Sequence, residues 1–180
     1  TGGFQTVTNP AHKKETGGFN LLLSGSDPVS ENALLIGHLV NETGSREDTI
    51  IILTGDDQSL AQDYRDAFYD EGVERVMIYT AAPGLSDDDL LAQRASQCRK
   101  FLFVNNSLEQ LKDFIHGNGT GAVVKNRMMQ RGVTSVFIGG NSRFAGHTVA
   151  EGYLESGANY HASMEYPAGL GLLKTSVVMP

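Results

Sequence analysis

Thr134-Ser-Val-Phe-Ile-Gly-Gly-Asn-Ser142-Arg-Phe-Ala-Gly146-His-Thr-Val-Ala-Glu151 contains the change of pattern on which the fold turns. A β-branched and aromatic run, the composition of a buried strand, stops at two glycines and a polar pair, and a helix-like pattern begins almost at once. Strand, tight turn and helix in immediate succession are the layout of a nucleophile elbow, which lifts a serine hydroxyl above the sheet close to a helix N-terminus. Ser142 occupies that position. In the G-x-S-x-G form the final glycine lets a neighbouring backbone approach, whereas the order here is Gly140-Asn141-Ser142-Arg143-Phe144 and a bulky ring fills that slot. Serine is also a favoured helix N-cap, and for this stretch alone capping is the better account of Ser142.

Outward from this stretch the same alternation recurs. Phe19 to Ser24 is an apolar run ending in Ser-Gly-Ser-Asp-Pro, and Val29 to Glu42 carries Leu34, Leu35, Ile36, Leu39 and Val40 at helical spacing. Thr49 to Thr54 is continuously apolar or β-branched, and Gln58 to Glu71 puts Leu60, Tyr64, Ala67 and Phe68 on one face before Gly72 stops the helix. Val76 to Thr80 predicts a third strand. Asp87 to Gln97 predicts a helix whose first carboxylates oppose the positive end of its dipole; consecutive residues diverge on a helix, so Asp87-Asp-Asp is not read as a metal site. Phe101 to Val104 is a fourth strand, Leu108 to His116 and Thr120 to Arg131 are two further helices, and Val133 to Ile138 enters the turn. Glu155 to Pro167 reads as irregular, and Gly169-Leu-Gly-Leu-Leu173 as a turn into a last strand over Thr175 to Met179.

Strands that are apolar throughout and separated by helices predict a three-layer α/β sandwich with a mainly parallel central sheet. Its core should include Leu22, Ile51, Ile52, Val76, Ile78, Phe101, Phe103, Val136 and Ile138. Residues 1–18, rich in Gly, Thr and Lys, read as an arm with one edge strand near Phe4 to Val7. Residues 19–180 read as one domain, incomplete at its C-terminus because the chain stops inside a strand. Ligands of such sheets bind outside the carboxyl ends of the strands. Those ends carry Ser24-Gly25-Ser26, Thr54-Gly55-Asp56-Asp57, Thr80, Asn105-Asn106 and Asn141-Ser142, which predicts a cleft where Ser142 meets Asn105, Asn106 and the Gly25 loop.

Composition narrows the function classes. A chain of 180 residues, 40% hydrophobic, suits one domain with a sizeable core. A net charge of -7 without clustered Lys and Arg argues against nucleic acid as a partner. The single cysteine, Cys98, makes neither an internal disulfide nor a Cys-based zinc site, and no motif calls for a metal or a cofactor. No run approaches the roughly 20 apolar residues that cross a bilayer, so no membrane partner is expected. The sequence begins at Thr1 without an initiator Met or a signal peptide, which reads as processed or excised; secreted and cytoplasmic locations both fit. Asn41-Glu-Thr, Asn105-Asn-Ser and Asn118-Gly-Thr match the glycosylation triplet, a pattern that arises easily by chance.

Five segments, taken in order across residues 19–180, carry a resemblance: Leu21-Leu-Leu-Ser-Gly-Ser, Ile50-Ile-Ile-Leu-Thr-Gly, Phe101-Leu-Phe-Val-Asn-Asn-Ser-Leu-Glu-Gln-Leu, Gly139-Gly-Asn-Ser-Arg-Phe-Ala and Gly169-Leu-Gly-Leu-Leu. The chain resembles the cyanophycinase and dipeptidase E family of serine peptidases. That resemblance implies a class I glutamine amidotransferase-like, flavodoxin-like fold and a serine-type hydrolase cleaving a small peptide or isopeptide bond. The family has Gly-Gly-Thr-Ser-Ala-Gly-Ala at the elbow, which puts Ser142 at the nucleophile position and the Arg143 N–H just after it. The family's Gly-Gly-Asp-Gln segment, part of the oxyanion hole and substrate pocket, corresponds to Val104-Asn105-Asn106-Ser107 and the residues that follow, with asparagines replacing glycines.

Acyl transfer by serine needs a base for the hydroxyl proton and donors aimed at the oxyanion. The family's histidine base lies in an Asp-x-His segment after the last strand, and the sequence ends at Pro180 before one occurs. His147 falls on the helix after Ser142 and His161 in an irregular loop. Each reads more readily as a surface histidine, with His161 kept as the candidate base. Two readings follow: a hydrolase acting through Ser142, favoured as the family assignment with activity left open, or an inactive relative serving as a binding or assembly module. A homo-oligomer and a C-terminal continuation of the same gene product both stay open.

Overall fold

Strands apolar at every position can be buried only if both faces of their sheet are covered. The computed structural model meets that requirement. It describes residues 19–41, 46–81, 89–117, 119–142, 161–165 and 172–178, with the side chains of Asp89 and of the last two stretches left out. The predicted arm over residues 1–18, the first residues of the Asp87 helix and the helix after Ser142 lie outside the described residues.

The strands are β1 (Phe19–Ser24), β2 (Ile50–Thr54), β3 (Val76–Thr80), β4 (Lys100–Val104), β5 (Thr134–Ile138), β6 (His161–Glu165) and β7 (Leu172–Val178). The helices are α1 (Ala33–Asn41), α2 (Ser59–Asp70), α3 (Asp89–Ala95), α4 (Leu108–Ile115) and α5 (Thr120–Met128). All seven strands form one sheet in the order β3-β2-β4-β5-β1-β7-β6. The first five in that order are parallel, while β7 runs antiparallel to β1 and β6 antiparallel to β7. This is a flavodoxin-like three-layer sandwich. The parallel strands follow the 2-1-3-4-5 order of such sheets, except that the fifth place is taken by the strand that comes first in the chain.

Alternate side chains of each strand feed two separate cores. Phe19, Leu21, Ile51, Leu53, Phe101, Phe103 and Phe137 pack against Leu91, Leu111, Phe114, Val124 and Met128 from α3, α4 and α5. On the other face Leu22, Ile50, Ile52, Leu102, Val136 and Ile138 pack against Leu35, Leu39, Tyr64 and Phe68 from α1 and α2. Phe103 and Phe137, on neighbouring strands, stack with ring centroids 4.4 Å apart. Eight of the nine predicted core residues are buried; Ile78 is only partly so, because β3 is an edge strand with one strand neighbour.

Three boundaries differ from the sequence reading. The helix predicted from Val29 is a 3-10 turn at Val29–Glu31, and α1 starts only at Ala33. Asn32 separates them because its amide is engaged with the preceding loop, donating to the Ser26 carbonyl at 2.7 Å and to the Tyr64 hydroxyl at 2.8 Å. The segment read as irregular contains β6, a strand of weak intrinsic propensity (His-Ala-Ser-Met-Glu) sustained by its ladder with β7. β7 itself begins at Leu172, three residues earlier than predicted.

Candidate functional site

After β2 the chain passes to α2 on one face, and after β4 to α4 on the other. The carboxyl ends of β2 and β4 are therefore the place where doubly wound sheets form their ligand crevice, and here the two loops lie in contact with each other. The sequence lines this crevice with small and amide residues. Gly55 faces the β4 end so closely that a Cβ there would stand 2.5 Å from the Asn105 carbonyl oxygen. Asn105 has φ +51, the one positive φ outside glycine among the described residues, and asparagine tolerates this left-handed conformation better than most residues. Its amide donates across the crevice to the Asp57 carbonyl at 3.2 Å.

Asn106 and Asn141 join this strand end to the turn after β5. The Asn106 N–H donates to Asn141 Oδ1 at 3.1 Å, and Asn141 Nδ2 returns a bond to the Asn106 carbonyl at 2.9 Å. The Asn106 amide also donates to the Leu53 and Val104 carbonyls at 3.0 and 3.2 Å. Its Oδ1 is buried without a hydrogen-bond partner. It is a buried acceptor that the fold itself leaves unpaired at this strand end.

Ser142 follows directly, after a 3-10 turn at Gly139–Asn141. Its N–H donates to the Gly139 carbonyl, and its φ of -61 and ψ of -30 are ordinary helical values. The left-handed residue of this turn is instead Gly139, with φ +61, which glycine adopts without strain. A side chain in place of that glycine would be strained by the left-handed backbone and would push aside the Asp27 carboxylate from the loop after β1. That loop is held by a buried network. The Ser24 hydroxyl donates to Asn32 Oδ1 at 2.6 Å, and the Tyr64 hydroxyl, which receives the Asn32 amide, donates to the Asp27 carbonyl at 2.7 Å. Burial pushes the Tyr64 phenol up to about 12, so it stays a neutral donor at physiological pH.

The structure thus brings Asn105, Asn106 and the turn carrying Ser142 together, as expected. Gly25 is exposed with nothing near its Cβ position, and Asp27 is the residue of that loop that meets the turn. Arg143, Phe144 and His147 lie outside the described residues. The expected loop position of His161 is corrected: it is the first residue of β6. The register pairs His161 with Val178, beside the Phe19 end of β1, whereas Ser24 pairs with Ile138 at the Ser142 end. That separation is roughly 15 Å along the strands and about as much across three of them. His161 and Ser142 are not brought together. The Ser142 hydroxyl has no hydrogen-bond partner among the described residues.

Sequence reasoning missed Asn141 as a clamp and Asp27 as the carboxylate against the turn. The Ser-Gly-Ser-Asp-Pro turn was the available signal for Asp27. On the neighbouring loop, Asp57 Oδ1 accepts from the Ser59 N–H and hydroxyl at 3.0 and 2.7 Å, and the hydroxyl bond foremost holds its carboxyl below the usual range. Among the described residues no group of three His, Cys, Asp or Glu could hold a metal ion, and no helix is long and apolar enough to cross a membrane. Fold and site define a flavodoxin-like α/β domain with an amide-lined crevice at the carboxyl edge of its sheet. No family model matches the chain, and no curated protein matches it significantly.

Proposed function

We propose that this chain is a non-catalytic relative of the cyanophycinase-like serine hydrolases, binding a small peptide or other amide-bearing ligand at the carboxyl-edge crevice without cleaving it. The observation that carries this reading is the bond from the Asn106 N–H to Asn141 Oδ1. An oxyanion hole works because its donors are free and already aimed at the charge that develops, and removing one such donor lowers the rate roughly a hundred- to a thousandfold. On the segment that corresponds to the family's oxyanion loop, the Asn106 donor is engaged by a neighbouring side chain. A serine hydroxyl also needs a base within about 3 Å, and no described histidine or carboxylate bonds to Ser142. The unpaired Asn106 Oδ1 supports a ligand that brings an N–H once the surrounding loops part to expose this buried atom.

The alternative, an active hydrolase using Ser142, is favoured by the position of this serine immediately after the Asn106–Asn141 clamp, with its hydroxyl uncommitted among the described residues. A fluorophosphonate probe, which labels activated serines covalently, separates the two. The expected outcome is no labelling above that of Ser142→Ala. Stoichiometric labelling abolished by Ser142→Ala would overturn the non-catalytic reading and establish the hydrolase.

A further inference from the structure

A cavity of about 210 Å³ opens at the other edge of the sheet, among the amino ends of β2, β3 and β4, with Arg75, Arg94, Arg99, Glu47, Asp48 and Cys98 in its lining. We propose that it is a binding site for a small molecule bearing an oxyanion, a phosphoryl or carboxylate group held by the three guanidinium groups.

The charge balance of the cavity is the reverse of the chain's. In a protein of net charge -7, three arginines here face two carboxylates. One of those carboxylates is shared, because Asp48 bonds Arg99 at 2.9 Å and lies 3.8 Å from the ammonium of Lys100. Lys100 is fully buried on β4, so this second cation cannot turn away to solvent and Asp48 cannot serve Arg99 alone. Arg94 donates through Nη1 to the Tyr79 hydroxyl at 2.8 Å, which orients its planar group while leaving other N–H donors. Arg75, exposed at the entrance to β3, has no side-chain partner among the described residues. Planar forks of N–H donors match the oxygens of phosphate and carboxylate, and Arg94 and Arg99, already held, lose little freedom when they bind.

A structural role accounts for only part of this cluster. Arg94 sits in the last turn of α3, where the carbonyl end of a helix favours a cation. Arg99 is paired with Asp48, whereas Arg75, which precedes β3, has no such structural reason to join them. Cys98 adds no charge, because burial pushes its thiol up to about 11. The site is therefore electrostatic, with no nucleophile in it at neutral pH.

The test is to titrate the full chain with pyrophosphate and, separately, with succinate, against sodium chloride at matched ionic strength, following the arginine Nε–H signals by NMR and the thermal midpoint. The expected result is saturable binding of at least one anion at a Kd of about 1 mM or tighter, with shifts at Arg75, Arg94 and Arg99 and a midpoint that rises with ligand. Binding of pyrophosphate alone identifies a phosphoryl ligand, and of succinate alone a carboxylate. Arg75→Ala, at an exposed position, should weaken affinity at least tenfold without changing the ligand-free midpoint, while Arg131→Ala, an exposed arginine outside the cavity lining, leaves affinity unchanged. Failure of both anions to exceed chloride overturns the proposal. So does equal loss in the two variants, or full affinity in Arg75→Ala.

Discussion

Ser135 is buried in the middle of β5 between Leu21 of β1 and Phe101 of β4, and its hydroxyl has no hydrogen-bond partner among the described residues. An unsatisfied buried hydroxyl costs its desolvation and returns nothing. Ser135→Ala is therefore expected to be neutral or to stabilise by up to about 1 kcal/mol, read as a higher urea midpoint at unchanged slope. A loss of stability would show that the hydroxyl has a partner after all. Asn106 Oδ1 is also buried without a partner, but it stands at a strand end rather than in the middle of a strand. The difference bears on what sequence could reveal. Asn105, Asn106 and Ser142 were legible as site residues because strand ends can be read from where apolar runs stop. Asp27 and Asn141 were not, because the role of Asp27 depends on β1 lying beside β5 and that of Asn141 on β4 lying beside β5, and pairing of strands distant in the chain leaves no local pattern.

The loops after β2 and β4 form a single element of the crevice, and Gly55 is the residue that lets them meet. A Cβ at Gly55 would press on the Asn105 carbonyl, a backbone atom already fixed by the left-handed conformation and unable to move aside cheaply. Gly55→Ala should cost about 1–3 kcal/mol, the usual range for overpacking. Gly25→Ala, with open space around the added methyl, should be neutral or stabilise by a few tenths of a kcal/mol through the unfolded chain. Paired urea titrations read this contrast directly, and equal costs would show that the close approach at Gly55 is not real. The elements themselves were largely legible: β1 to β5 and α2, α4 and α5 fall within a few residues of the positions their periodicity predicts. What failed were segments governed by partners. Asn32 breaks the first helix through bonds to Ser26 and Tyr64, and β6 is a strand only because β7 lies beside it.

At the scale of the molecule, three buried groups among the described residues couple stability to alkaline pH, and their signs differ. Cys98 is raised by burial from 9.0 to about 11, and Tyr64, also chiefly by burial, from 10.0 to about 12. Each keeps its proton in the folded chain after the unfolded chain has lost it. Their stabilisation is therefore complete below the unfolded value and declines as pH rises to the folded one. Lys100 is lowered from 10.5, by burial first and against the pull of Asp48. The unfolded chain then binds the extra proton, so this group makes stability rise with pH, but only up to 10.5. Between pH 9 and 10.5 the lysine offsets part of the loss from the cysteine and the tyrosine. Above 10.5 nothing among the three offsets it, and the two remaining groups together give a slope of up to about 2 kcal/mol per pH unit. Urea midpoints measured from pH 8 to 11 should show a shallow decline that steepens near 10.5. Cys98→Ala should flatten the earlier part of the decline and leave the Tyr64 part above pH 10. A profile for Cys98→Ala that runs parallel to wild type throughout would remove the buried thiol as a cause and leave the rising net negative charge of an acidic chain as the source of alkaline instability.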